Sequence, residues 1–200
     1  GLTFALDKGM LTVAFALSAL GTAYVAERTG IAALRYVVGG LGVLVLGRLV
    51  WDPAVAGAEV GSTPIFNWLL WGYGVPALCF GVASRLLARQ GHDRVVRLTE
   101  SLTLIFAYFL VIFQIRHALY AGDPLAVRSG LLEAGLTAAA SFAFAAAVLT
   151  IEAGRPDIVT RVASLVFGVI GAGLAVFGLA VAANPLFTGD AVHGGALVNA

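Results

Sequence analysis

Apolar residues come in six long runs along this chain, approximately Gly9–Ala26, Ile31–Val50, Phe66–Leu87, Leu98–His117, Leu131–Ile151 and Ile158–Ala182, with polar residues gathered between them. A helix needs roughly 20 apolar residues to cross the hydrocarbon core of a bilayer, and each run is close to that length. The pattern predicts an all-α fold, a polytopic transmembrane bundle of about six helices. The connections alternate in length. "ERTG", "ARQGHDR" and "EAGRPD" are tight, whereas Trp51–Ile65 and Ala118–Gly130 are longer and contain "WDPAVAGAEVGSTP" and "AGDPLAV". Short turns join antiparallel neighbours, so the helices are expected as three antiparallel hairpins.

Composition agrees, with 60% hydrophobic and 12% charged residues against about 25% charged in a soluble domain. The runs leave no room for a soluble domain, so residues 1–200 read as a single transmembrane helical domain. Asp7 and Lys8 precede the first run, but no small-residue cleavage site follows, so it does not read as a secretory signal peptide. The chain is expected to be a piece of a longer protein. Its lone cysteine, Cys79, lies between Leu78 and Phe80 and suits an apolar packing role.

Charge sets the expected threading. Lys8, Arg48, Arg116 and Arg128 fall on one side of the membrane, while Arg28, Arg35, Arg85, Arg89, Arg94, Arg97, Arg155 and Arg161 fall on the other. Basic loops stay cytoplasmic, which places both termini on the non-cytoplasmic side of the membrane. The net charge of +1, with its basic residues dispersed, argues against nucleic acid as a partner.

An internal repeat is expected. "GMLTVAFALSALGTAYVAERTGIAALRYV" from Gly9 resembles "GLTAAASFAFAAAVLTIEAGRPDIVTRVA" from Gly135, with Glu27 matching Glu152 and Arg35 matching Arg161. The second helices both end in an Asx-Pro step, Asp52-Pro53 and Asn184-Pro185, a natural helix stop. Pro53 lies 14 residues before Asn67, and Pro185 lies 14 before Asn199 (67 − 53 = 199 − 185). This predicts a four-helix repeat of 132 residues (199 − 67), with its second copy starting near 135 and a few residues inserted in the last helix. An even number of helices makes the copies parallel, unlike the inverted repeats of many secondary transporters.

Two motifs carry the polar residues. In "FNWLLWGYGVPA", Pro76 removes the helix bond to the carbonyl of Gly72, so a kink is expected, with Asn67, Trp71 and Tyr73 either around an opened helix or in an interfacial aromatic belt. In "QIRHALYAG", Gln114 and His117 share one helix face, and Arg116 and Tyr120 share another. Both motifs fall at one predicted membrane face with Arg48, Asp52 and Glu133, which makes Asn67, Trp71, Tyr73, Gln114, Arg116, His117 and Glu133 the candidate polar site. The plainer expectation is that Arg116 pairs with Glu133 while His117 caps the interface. Glu100 is expected to pair along its helix with Arg97, and Ala14/Ser18/Thr22 and Gly168/Ala172 to let helices approach closely. His92, His117 and His193 are scattered, so no metal site is expected, and no motif asks for a cofactor or marks a catalytic residue.

"FNWLLWGYGVPA", followed some forty residues on by "QIRHAL" and set among Ala- and Leu-rich hairpins with Arg-containing turns, resembles the bacterial predicted-membrane-protein family catalogued as domain of unknown function 2339. The resemblance covers nearly the whole chain. It implies a multi-pass inner-membrane protein built of many hairpins, and it brings no catalytic role to Asn67, Arg116 or His117. Two functions follow as expectations. One is a helical membrane scaffold or envelope-assembly component, with the bilayer, the remaining helices of a longer chain and envelope proteins as partners. The other is a transporter or membrane enzyme in which Arg116 binds an anionic or lipid-linked substrate, His117 exchanges a proton and Asn67 orients the ligand. The first is preferred because no reaction-specific motif supports the second.

Overall fold

The computed structural model describes residues 8–51, 60–61, 63–120, 122–125, 130–182 and 184–189. Asp7, Asp52, Pro53, Arg128, His193 and Asn199 lie outside the described residues, and so does the matching register proposed at "LVNA". Among the described residues every regular element is helical: α1 Lys8–Thr29, α2 Ala32–Trp51, α3 Val75–Ala88, α4 Arg94–Leu119, α5 Leu131–Gly154, α6 Ile158–Gly173 and a short α7 Pro185–Thr188. Wider π-helical segments, Leu70–Gly74 and Leu174–Ala182, lead into α3 and continue α6. Six of these helical stretches are long and apolar enough to cross a membrane, as the hydrophobic runs predict. They form the hairpins α1/α2, α3/α4 and α5/α6. Two compact units divide the protein, residues 1–114 and 115–200.

Several boundaries have local causes. The Asp93 carboxylate accepts from the amides of Val95 and Val96, both at 3.0 Å. That N-cap starts α4 at Arg94, four residues before the apolar run at Leu98. Asp157 caps α6 in the same way, accepting from Val159 at 2.7 Å. The expected kink at Pro76 is resolved as a change of winding. The Val75 amide reaches back five residues to the Leu70 carbonyl, and Pro76 falls in the first turn of α3, where its missing N–H needs no partner.

In the first unit α1 packs on α2 and α3 through Ala16, Ala19, Ala23 and Ala26, all fully buried. The Ala14/Ser18/Thr22 stripe expected at a helix contact is turned elsewhere. Ser18 is exposed, and the Ser18 and Thr22 hydroxyls each donate to a carbonyl four residues back, at 2.8 Å. Gly42 on α2 seats α4, since a Cβ there would lie 3.0 Å from Leu102. Between α3 and α4 the filling is aromatic: Tyr73 lies 5.1 Å from Phe113 and Phe80 lies 6.2 Å from Phe106, ring to ring.

In the second unit α5 and α6 pair along their length. The close approach is at Gly171, whose Cβ would meet the Phe142 ring at 3.1 Å, whereas Gly168 has open space. The expected small-residue contact is thus displaced by one helical turn. With its π-helical continuation α6 runs through 25 residues, Ile158–Ala182, against 20 in α2. The π winding bonds each amide five residues back and fits more residues into a given length.

Candidate functional site

Four of the candidate residues lie in the first unit. Asn67 is buried at the entry to the third span, and its side-chain amide is fully used. Nδ2 donates to Gln114 Oε1 at 3.0 Å and to the Thr63 carbonyl at 3.3 Å. Oδ1 accepts from Gln114 Nε2 and from the Leu69 amide, both at 3.1 Å. Gln114 Nε2 has a second acceptor in the Ile65 carbonyl, at 3.0 Å. The two side chains thus form a reciprocal amide pair that ties the start of the third span to the end of α4.

The loop so held is strained. Ile65 has φ = 67°, a left-handed conformation that a β-branched residue adopts only when its surroundings impose it. The Phe66 amide closes a three-residue turn onto the Pro64 carbonyl at 2.7 Å, and the Thr63 hydroxyl donates to the Phe66 carbonyl at 2.6 Å. Trp71 is 59% exposed and faces outward, in keeping with an interfacial aromatic. Tyr73 is fully buried among Phe106, Phe109 and Phe113. Gln114 and Asn67 are therefore brought together, while the two aromatics part to opposite environments.

The other three candidates lie in the second unit. Arg116 pairs with the Glu133 carboxylate, and its Nε donates to the Pro124 carbonyl at 2.7 Å. Tyr120 donates its hydroxyl to the other Glu133 oxygen at 2.6 Å, with the Arg116 guanidinium 5.5 Å from its ring centre. Glu133 sits in the first turn of α5, where the positive end of the helix dipole and the orphan amides favour a carboxylate. His117 is buried, and its carbonyl accepts from Gly122 at 3.0 Å, closing the end of α4. The arrangement fastens the α4–α5 connection. Arg48, expected near the same face, is half-buried in the last turn of α2.

One heavily bonded side chain entered the sequence analysis only through membrane topology and the repeat. Arg35, in the first turn of α2, is buried and reaches the turn between α3 and α4. It donates to the carbonyls of Leu87 at 2.9 Å and Gly91 at 3.0 Å, and to the Asp93 carboxylate at 2.8 and 2.9 Å. Burial pushes the Asp93 carboxyl up, but the Val96 amide, the Arg35 guanidinium and the Val95 amide outweigh it and hold the group below its ordinary value. Gln90 and Arg89 complete the seam, donating to the Ala26 carbonyl at 2.9 Å and to the Glu27 carboxylate at 3.1 Å. The signal available in sequence was an Arg one turn into an apolar helix. Glu100 lies 3.3 Å from His92 of the α3–α4 turn. Among the described residues no three His, Cys, Asp or Glu side chains gather as metal ligands would.

The model of the family described as "Predicted membrane protein (DUF2339)" matches residues 1–200. No curated protein and no solved structure matches this sequence.

Proposed function

We propose a structural role, and it starts from an established point: the chain belongs to the predicted membrane protein family DUF2339. It is a multi-pass membrane protein whose helices contact the bilayer. On our reading it is a helical membrane scaffold or envelope-assembly component of an inner membrane, with both ends of the segment on the non-cytoplasmic side. The split of basic residues, eight against four, supports that orientation.

One observation carries the scaffold reading. The polar candidates spend their hydrogen bonds on the protein itself: both Asn67 amide donors and two acceptor positions on its oxygen are filled, and both Glu133 oxygens are engaged. Buried polar groups satisfied in this way fix a fold and leave little to offer a substrate. In the full-length protein, Arg116→Ala and His117→Ala are expected to lower membrane abundance, with any loss of cell phenotype following abundance. A lost phenotype at normal abundance would sink the scaffold reading and favour a transporter or enzyme acting on an anionic or lipid-linked substrate.

A further inference from the structure

The hairpins α1/α2 and α5/α6 carry the same device at the same helix positions. Glu27 and Glu152 are each third from the end of their helices, Lys8–Thr29 and Leu131–Gly154. Arg35 and Arg161 are each fourth in theirs, which begin at Ala32 and Ile158, and Gly42 and Gly168 are each eleventh. In the first hairpin this device receives another hairpin. Glu27 takes Arg89, Arg35 enters the turn as far as Asp93, and Gly42 lies against Leu98 and Leu102 of α4. In the second hairpin Glu152 and Arg161 pair with each other at 3.3 Å, and the Arg161 side chain is 70% exposed against 10% for Arg35. Gly168 has open space, and Leu165, at the position matching Gly39, which touches Val95 of α4, is 64% exposed.

We propose that the face of α5/α6 carrying Glu152, Arg161, Leu165 and Gly168 receives a fourth hairpin, the second of the α3/α4 kind, carried by the same polypeptide after Asn199. The occupant is defined by charge. Arg161 calls for a turn that presents carbonyls and a carboxylate, as Leu87, Gly91 and Asp93 do for Arg35, and Glu152 calls for a basic residue in the place of Arg89. The Asx-Pro register supports this source, since Asn199 stands where the entry motif of such a hairpin would begin. The open glycine lets the incoming backbone approach, as Gly42 does for α4. The inference goes beyond the scaffold reading, because a transporter built from the same hairpins would need the same seat.

The test uses the full-length natural protein in its own membrane, with a photo-reactive residue placed by Leu165→p-benzoylphenylalanine and the adduct mapped by protease digestion and mass spectrometry. The same substitution at Gly39, expected to label α4 near Val95, shows that the probe reads this contact. The expected adduct joins position 165 to a helix that follows Asn199 in the same polypeptide. Its yield falls about fivefold or more in Arg161→Glu. It falls less in Arg161→Gln, and changing the acidic residue of the mapped turn to Arg restores it in Arg161→Glu. Adducts formed only with lipid, with a second copy, or within residues 1–119 overturn the proposal, as does an intramolecular adduct whose yield is indifferent to Arg161.

Discussion

Arg35→Ala removes a guanidinium whose side chain is 10% exposed and which donates to two backbone carbonyls and a carboxylate. A hydrogen bond from a charged donor contributes about 1.5–3 kcal/mol. The Asp93 side chain is 46% exposed, so its ion pair is screened to the about 0–1 kcal/mol of a surface pair. The two carbonyl bonds carry the effect, and their loss sums to about 3–6 kcal/mol. The matched control is Arg28→Ala. That guanidinium, 69% exposed and 3.9 Å from Glu27, contributes about 0–1 kcal/mol. In thermal unfolding of the purified protein in detergent, Arg35→Ala should lower the midpoint by roughly 6–24 °C, and Arg28→Ala by less than about 4 °C. Arg35→Lys keeps the charge but not the planar fork, and should fall between the two. If Arg35→Ala and Arg28→Ala move the midpoint by the same few degrees, the claim that Arg35 clamps the α3–α4 turn is wrong.

The same clamp predicts an acid limb. Because Asp93 is held below its ordinary value of 3.8 when folded, its contribution is fully present above that pH and is lost as pH falls through the lower folded value. The wild-type midpoint should drop below pH 3.8, and Arg35→Ala should flatten that drop. Gly42→Ala pushes a methyl to 3.0 Å from the fully buried Leu102 and should cost about 1–3 kcal/mol, whereas Gly40→Ala enters open space and should gain about 0.5–1 kcal/mol, both read by chemical denaturation. A double-mutant cycle over Asn67→Ala and Gln114→Ala should return a coupling of about 1–2 kcal/mol, and additive losses would dissolve the amide pair. Ile65→Gly, which relieves the positive φ, should leave stability unchanged or raise it by about 1 kcal/mol, and a clear loss would show that the isoleucine side chain is needed where it stands.

The helices were legible because a bilayer imposes length and apolarity on whatever crosses it. Which face of each helix meets a neighbour was not. In a soluble helix polarity marks the outside, but Ala16, Ala19 and Ala23 inside and Leu17, Val25 and Tyr24 outside are all tolerable to lipid, so the chosen stripe of α1 missed the buried one. The start of α4 was hidden for a different reason: Asp93 reads as one polar residue of a turn until its carboxylate is seen on two amides. Of the candidate site, the pairing of Arg116 with Glu133 was foreseen from charge and proximity. Asn67 and Gln114 were foreseen as sharing a membrane face, but not as a closed reciprocal pair. Arg35 went unseen as a clamp because its partners lie more than fifty residues away, and pairing at that distance leaves no periodic trace.

The α3/α4 hairpin is fastened at both of its ends, by Arg35 at the turn and by the Asn67–Gln114 pair at the mouth. Helix α4 alone is 26 residues long, about 39 Å of rod. A piston-like slip of one helix past the other by a single turn, about 5.4 Å, would have to break the amide pair at the mouth and distort the turn that Arg35 holds. Axial displacement applied to α3 is therefore handed on to α4 with little slack. Within this half of the protein the unit that can tilt or translate is the whole hairpin, and a force arriving at one membrane surface is delivered at the other.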